Sequence, residues 1–139
     1  MPALTRWFIK SALIFFVAAM AIGLLQTFNA FGVASPFLSA LGPVYFHMFL
    51  VGWVTQLIFG VVFWMFPKYS SENPRRSERL GWTTFWLINI GLGLRVISEP
   101  IISLQPGTFW GWVLALSALL QWLAGLGFVI NTWGRVKVK

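Results

Sequence analysis

Residues 43–67, PVYFHMFLVGWVTQLIFGVVFWMFP, form an apolar segment that contains the only histidine of the chain, His47. A helix of this length crosses the hydrocarbon core of a bilayer. An ionisable ring inside a membrane helix is costly, and such residues usually have a partner in the helix bundle or a function. The segment therefore predicts a membrane-spanning helix, with His47 as the leading candidate functional residue.

The composition of the whole chain is that of a membrane protein. Of its 139 residues, 58% are hydrophobic and 9% are charged, which is far from the composition of soluble domains. The chain has no cysteine, so disulfides, thiolate metal sites and a catalytic cysteine are excluded. With three acidic residues and one histidine, it has few groups for classical enzyme chemistry, and an enzyme is the less favoured interpretation.

Four apolar runs approach the roughly 20 residues that a spanning helix needs. They predict an all-α fold, a polytopic membrane protein whose residues 1–139 form one bundle of four transmembrane helices, at about 7–25, 43–66, 80–104 and 108–133. Ser35 followed by Pro36 is typical of a helix start, so we expect a short apolar helix on the outer surface. The first run has the outline of a signal peptide, but it lacks a clear cleavage site and we expect a retained helix.

All but one of the ten basic residues fall on one side of this predicted bundle. They are Arg6, Lys10, Lys68, Arg75, Arg76, Arg79, Arg135, Lys137 and Lys139. The positive-inside rule assigns that side to the cytoplasm. Both termini are therefore expected in the cytoplasm, and the membrane is expected to be the cell (inner) membrane. Because the basic residues flank apolar spans and form no basic stripe on a soluble surface, the net charge of +7 indicates topology and a lipid bilayer, with no nucleic acid as partner.

Small residues at a four-residue spacing are typical of helix contacts in membranes. The sequence has three stripes at this spacing: Gly52, Gln56 and Gly60; Gly91, Arg95 and Glu99; Gly107, Gly111 and Ala115. We expect each of them to be a helix contact.

Three ionisable residues are predicted to share one depth near the outer surface. His47 lies roughly 6 Å beyond Pro43, and Arg95 and Glu99 lie roughly 22 and 28 Å along a third helix that runs outward from Leu80. Arg95 and Glu99 have the i, i+4 spacing of a salt bridge. Alternatively, the forked donors of Arg95 suit an anion such as a heme propionate or a lipid phosphate, with Glu99 orienting the guanidinium.

For His47 itself two interpretations stay open. It is either a hydrogen-bonded histidine in a helix contact, or a neutral imidazole ligand to heme iron or to another metal such as Cu or Zn. The aromatic neighbours Tyr45 and Trp53 would suit a porphyrin.

The residues His47, Gly52, Trp53, Gly60 and Pro67 carry a resemblance to a known family. The stretch HMFLVGWVTQLIFGVVFWMFPK resembles the tenth helix of the catalytic subunit of heme-copper oxidases, especially the cbb type, and the related nitric-oxide-response membrane proteins. In that family a His-x-His pair precedes the Gly-Trp, and the second His is an axial ligand of the low-spin heme. The resemblance implies this role for His47 and places Tyr45 where the high-spin heme ligand would be.

The resemblance also implies an architecture. The oxidase subunit consists of three similar groups of four helices, so this chain would correspond to one group, and identical copies would assemble as a dimer or trimer in which two His47 side chains bind one heme. Because the copper-site histidines and a His-Tyr pair are missing, oxygen reduction is not expected.

Three functional hypotheses follow. The first is a homo-oligomer that binds heme b through His47, with Arg95, Glu99, Tyr45 and Trp53 around it, for electron transfer, heme handling or gas sensing beside a respiratory partner. The second is a cofactor-free accessory or structural subunit in which His47, Arg95 and Glu99 form a polar network. The third is a metal-binding or transport oligomer with a ring of His47 side chains.

Overall fold

The computed structural model describes residues 1–32 and 35–136, and within these ranges the chain has helices and no strand. The helices are α1 (Ala3–Thr27), α2 (Pro36–Ala40), α3 (Gly42–His47), α4 (Gln56–Met65), α5 (Glu78–Leu104) and α6 (Thr108–Trp133). They combine into four spans that are long and apolar enough to cross a membrane: Ala3–Phe31, Pro36–Met65, Glu78–Leu104 and Thr108–Trp133. The predicted all-α fold with four membrane spans is therefore confirmed.

The predicted short helix before the second span is present as α2. The Oγ atom of Ser35 accepts a hydrogen bond from the backbone N–H of Leu38 at 3.2 Å, and Pro36 occupies the first helical position. Only Leu41 separates α2 from α3, so the short helix leads directly into the span that carries His47.

The second span is not α-helical throughout, because Met48–Thr55 adopts the wider π-helical turn between α3 and α4. The hydroxyl of Thr55 donates to the carbonyl of Leu50, five residues earlier, at 2.8 Å. At Gly52 the backbone approaches α1 and α5 so closely that a Cβ atom would lie 2.7 Å from Phe15 and 2.9 Å from Leu92. Such π segments often accompany functional sites, and this one begins directly after His47.

The interior of the bundle consists of two apolar clusters. One contains Leu4, Phe8, Phe59, Phe63, Phe85, Ile88 and Ala124, and the other contains Ala19, Leu41, Val44 and Met48. Along α1, Ser11 lies between the two clusters and donates to Oδ1 of Asn89 at 2.6 Å. Nδ2 of Asn89 donates in turn to Oε1 of the fully buried Gln56 at 3.1 Å. Hydrogen bonds thus join the first three spans and give partners to buried polar groups, whose burial without a partner would be costly.

The predicted contact stripes on the second and third spans lie in helix contacts, whereas on the fourth span only Gly111 is next to another helix within the protomer. Ala115 is exposed, and a Cβ atom at Gly111 would meet only Ile102, at 4.0 Å. A different face of α6 is inside: its buried residues are Ser117, Ala124, Gly127, Asn131 and Thr132. The spacing of small residues could not show which face would be buried.

Arg135, just after the fourth span, forms hydrogen bonds to backbone carbonyls at the end of the second span. Its guanidinium, 1% exposed, donates to the carbonyls of Pro67, Phe63 and Phe66 at 3.0, 3.1 and 2.7 Å. Burial, and to a lesser degree the nearby charge of Arg75, lowers the pKa of Arg135. Because the positive group meets the negative end of the α4 dipole, its position is favourable.

Leu4 packs with Phe63 in one core cluster, so the start of α1 lies at the same end of the bundle as Arg135. This basic end also carries the connection between the second and third spans, with Lys68, Arg75, Arg76 and Arg79. The prediction for Lys137 and Lys139 lies outside the described residues.

Candidate functional site

His47, Arg95 and Glu99 meet at the far end of the bundle, opposite the basic end, and form what we call the His47 cluster. Nδ1 of His47 lies 3.0 and 3.1 Å from the two carboxylate oxygens of Glu99. Nη1 of Arg95 lies 3.1 Å from Nε2 of His47 and 3.3 Å from Oε1 of Glu99. The common depth predicted for the three residues is thus observed as direct contact.

The partners of the imidazole define its protonation. Nδ1 faces only acceptors, namely the Glu99 carboxylate and the carbonyl of Pro43 at 2.9 Å, so this nitrogen carries the proton. Nε2 faces a guanidinium, which can only donate, so this nitrogen accepts. These contacts match an imidazole with its proton on Nδ1, and Nη1 of Arg95 lies between Nε2 of His47 and the carboxylate of Glu99.

Local sequence explains why these groups converge. Arg95 and Glu99 lie one helical turn apart on α5, so their side chains share a face. His47 is the last residue of α3 before the π segment, and its Nδ1 reaches back to the carbonyl of Pro43, four residues earlier. The side chains of Glu99 and Arg95 are 9% and 15% exposed, against 31% for His47, so the charged pair is the more deeply buried part.

The fourth span takes part through Ser117, which is fully buried. Its hydroxyl accepts from Nε of Arg95 at 3.2 Å and from Nε2 of Gln121 at 3.2 Å, and it donates to the carbonyl of Gly91 at 2.7 Å. The prediction from ionisable residues missed both α6 residues. The available signal was their i, i+4 spacing as the polar pair in the apolar run VLALSALLQWLAGLGFVI of α6.

Tyr45 and Trp53, the remaining predicted site residues, lie in a different contact. Tyr45 stacks on Phe49 at a ring distance of 5.9 Å, and Phe49 meets Trp53 edge-on at 4.8 Å. Trp53 also packs on Phe16 of α1 at 4.3 Å. Tyr45, Phe49 and Trp53 form an aromatic row between the second span and α1. Among the described residues, the ring contacts of this row do not include the His47 cluster.

A heme iron or another metal needs a ring nitrogen with an available lone pair. In the described protomer Nδ1 of His47 is turned to oxygen acceptors and Nε2 accepts from Arg95. Within residues 1–32 and 35–136, no group of three or more His, Cys, Asp or Glu side chains could hold a metal ion. In this arrangement His47 cannot be a ligand of heme iron unless Arg95 turns away from the imidazole.

Known proteins do not identify the cluster. The resemblance of residues 43–67 to heme-copper oxidases, with the heme site and the assembly that it implies, stays a prediction. No protein family, no curated protein and no solved structure matches the chain.

Proposed function

We propose that the protein is a cofactor-free accessory or structural subunit of the cell inner membrane, acting as a homo-oligomer with both termini in the cytoplasm. The observation that supports it most directly is that both ring nitrogens of His47 already have partners inside the protomer, Glu99 on Nδ1 and Arg95 on Nε2. The bilayer as environment follows from the four apolar spans.

The physical role of the cluster in this proposal is to hold three spans in one arrangement. Each charge of a buried pair depends on its partner, because an uncompensated ion in the interior costs several kcal/mol. His47 ties the second span to Arg95 and Glu99 of the third, and Ser117 ties the third to the fourth. A bundle fixed in this way presents a constant surface to a membrane partner or to another copy.

The test is a reduced-minus-oxidised absorption spectrum of the purified protein, expressed with heme supplementation, together with its thermal unfolding in detergent. The proposal expects no heme band, and a lower unfolding temperature for His47→Ala because both Glu99 and Arg95 lose a partner. Phe46→Ala is the matched control, since the neighbouring Phe46 side chain is 61% exposed and should change little. A near-stoichiometric b-type band that His47→Ala abolishes would overturn the proposal.

A second candidate is the heme b protein suggested by the oxidase resemblance. The observation that favours it is the Glu99 carboxylate on Nδ1, because metal-bound histidines usually donate their other N–H to such a group. If Arg95 turned away, Nε2 would face outward, and the freed guanidinium would suit a propionate. Bound heme would supply one-electron transfer or gas binding.

Arg95→Met distinguishes the two candidates. If Arg95 only covers Nε2 of a latent ligand, the substitution should raise heme uptake and a b-type band should appear. If the network is structural, the variant stays colourless and is less stable, since Glu99 loses its counter-charge.

The oligomeric state and the orientation belong to the same proposal. Light scattering of the detergent-solubilised protein should give the mass of a dimer or trimer. The mass of a monomer would contradict the proposed homo-oligomer.

A further inference from the structure

The basic end of the bundle has a groove between α1 and α5 that has no role in the His47 cluster. It encloses about 380 Å³, and its walls include Trp7, Ile14, Phe85 and Trp86. Trp7 and Trp86 are 55% and 58% exposed, so both indole rings stand at the surface that faces the bilayer. The groove is therefore open to lipid from the side.

The mouth of the groove is positively charged. Lys10 lines the groove, and it also lines a neighbouring hollow of about 260 Å³ together with Arg6 and Trp7. Arg6 and Lys10 are exposed. Among the described residues, Glu99 forms salt bridges with His47 and Arg95, and Glu78 forms one with Arg75, so neither Arg6 nor Lys10 is part of a salt bridge there.

The floor of the groove offers no unused amide donor. Ser11 donates its hydroxyl proton to Asn89, and both N–H groups of Asn89 are taken, by Gln56 and by the carbonyl of Phe85. A ligand in the groove therefore meets apolar walls, and its polar part is recognised by charge at the mouth.

The depth of the groove residues can be estimated from the rise per residue along α1 and α5. Lys10 lies roughly 10 Å along α1, and Ile14 roughly 16 Å, while Phe85 lies roughly 10 Å along α5, which begins at the same end. Lys10 thus lies level with Phe85, and Ile14 continues the apolar wall roughly 6 Å deeper than Lys10. A phospholipid has the same arrangement, with a charged headgroup above apolar chains.

We propose that this groove is a binding site for an anionic phospholipid, whose phosphate lies between Arg6 and Lys10 and one of whose acyl chains packs along Phe85, Trp86 and Ile14. Charge complementarity selects an anionic lipid over a zwitterionic one, because cations near an anionic headgroup attract it and a choline would be repelled. The site is independent of the function proposed for the His47 cluster.

The experiment is native mass spectrometry of the delipidated protein in detergent, titrated with phosphatidylglycerol or phosphatidylcholine of identical chains. We expect preferential retention of phosphatidylglycerol by the wild type. The double variant Arg6→Gln/Lys10→Gln should lower that affinity roughly 30-fold, the equivalent of about 1 kcal/mol for each cation.

The control is Lys68→Gln/Arg79→Gln, which removes the same net charge from exposed positions outside the groove and should leave the preference unchanged. Trp86→Ala keeps the charge and removes a wall, so it should weaken both lipids while keeping their ratio. Equal retention of the two lipids, or an equal loss in the control variant, overturns the proposal. Displacement of the lipid by millimolar inorganic phosphate would also overturn it, because the site would then recognise a free anion.

Discussion

Nη1 of Arg95 lies 3.1 Å from Nε2 of His47, so a guanidinium occupies the side of the imidazole that would face a metal. An imidazolium would place a proton on Nε2, opposite a group that can only donate. A proton on Nε2 and a hydrogen bond from Arg95 to the same nitrogen therefore exclude one another. Glu99, whose Oε1 lies 3.3 Å from Nη1 of Arg95, compensates the charge of that guanidinium.

Replacing Glu99 with Gln should be strongly destabilising, since the charge of Arg95 is then left without compensation. We expect a loss of about 3 kcal/mol in the free energy of unfolding, as is typical when one partner of a buried ion pair is removed. The double variant Arg95→Met/Glu99→Gln should recover part of this loss, because it removes both charges. Reversible unfolding in mixed detergent measures these values, and a double variant less stable than Glu99→Gln would contradict the pairing.

Gly52→Ala tests the close approach of the π segment to its neighbours. The new methyl group would lie 2.7 Å from Phe15 and 2.9 Å from Leu92, and overpacking of this kind costs about 1–3 kcal/mol. Gly93→Ala is the matched control, since nothing lies within 4 Å of a Cβ atom there. Thermal unfolding of both variants should show a loss at position 52 only, and equal behaviour of the two would show that the contact is relaxed in the protein.

Arg135→Lys should loosen the basic end although it keeps the charge. A lysine ammonium cannot reproduce the fork that reaches the carbonyls of Phe63, Phe66 and Pro67, so we expect a loss of about 2 kcal/mol. Arg79→Lys, at an exposed position, is the control for the change of side chain. Hydrogen exchange at the ends of α4 and α6 should accelerate in Arg135→Lys, and unchanged exchange would mean that the carbonyls find water instead.

The orientation in the membrane can be tested with single cysteines, because the chain has none of its own. S71C lies in the connection at the basic end, and G107C lies in the short turn between α5 and α6 at the other end. A membrane-impermeant maleimide should label G107C in intact cells and S71C only after permeabilisation. The reverse pattern would place the termini outside.

Much of the fold could be predicted because hydropathy and helix geometry are local properties. The apolar runs located the four spans, the Ser35-Pro36 pair located α2, and the rise per residue placed His47 level with Arg95 and Glu99. These inferences need only the length and composition of each segment.

Other features depend on contacts that no single segment encodes. The sequence MFLVGWVT of the π segment has no residue type that distinguishes it from an α-helix. The sequence predicts only a topological charge at Arg135, since nothing in its neighbourhood indicates the three carbonyls that it caps. Ser117 cannot be predicted from its own helix, because a single hydroxyl in an apolar helix acquires its importance only from the Arg95 side chain of another span.

The π segment Met48–Thr55 also sets the rotational phase between the two halves of the second span. Deleting one residue from it would change the angle between the half that carries His47 and the half that carries Gly60, because each residue adds its own rotation about the helix axis. The imidazole would then leave Glu99 while Gly60 kept its contact with α1. The meeting of His47 with its partners thus depends on the number of residues in the span as much as on their identity.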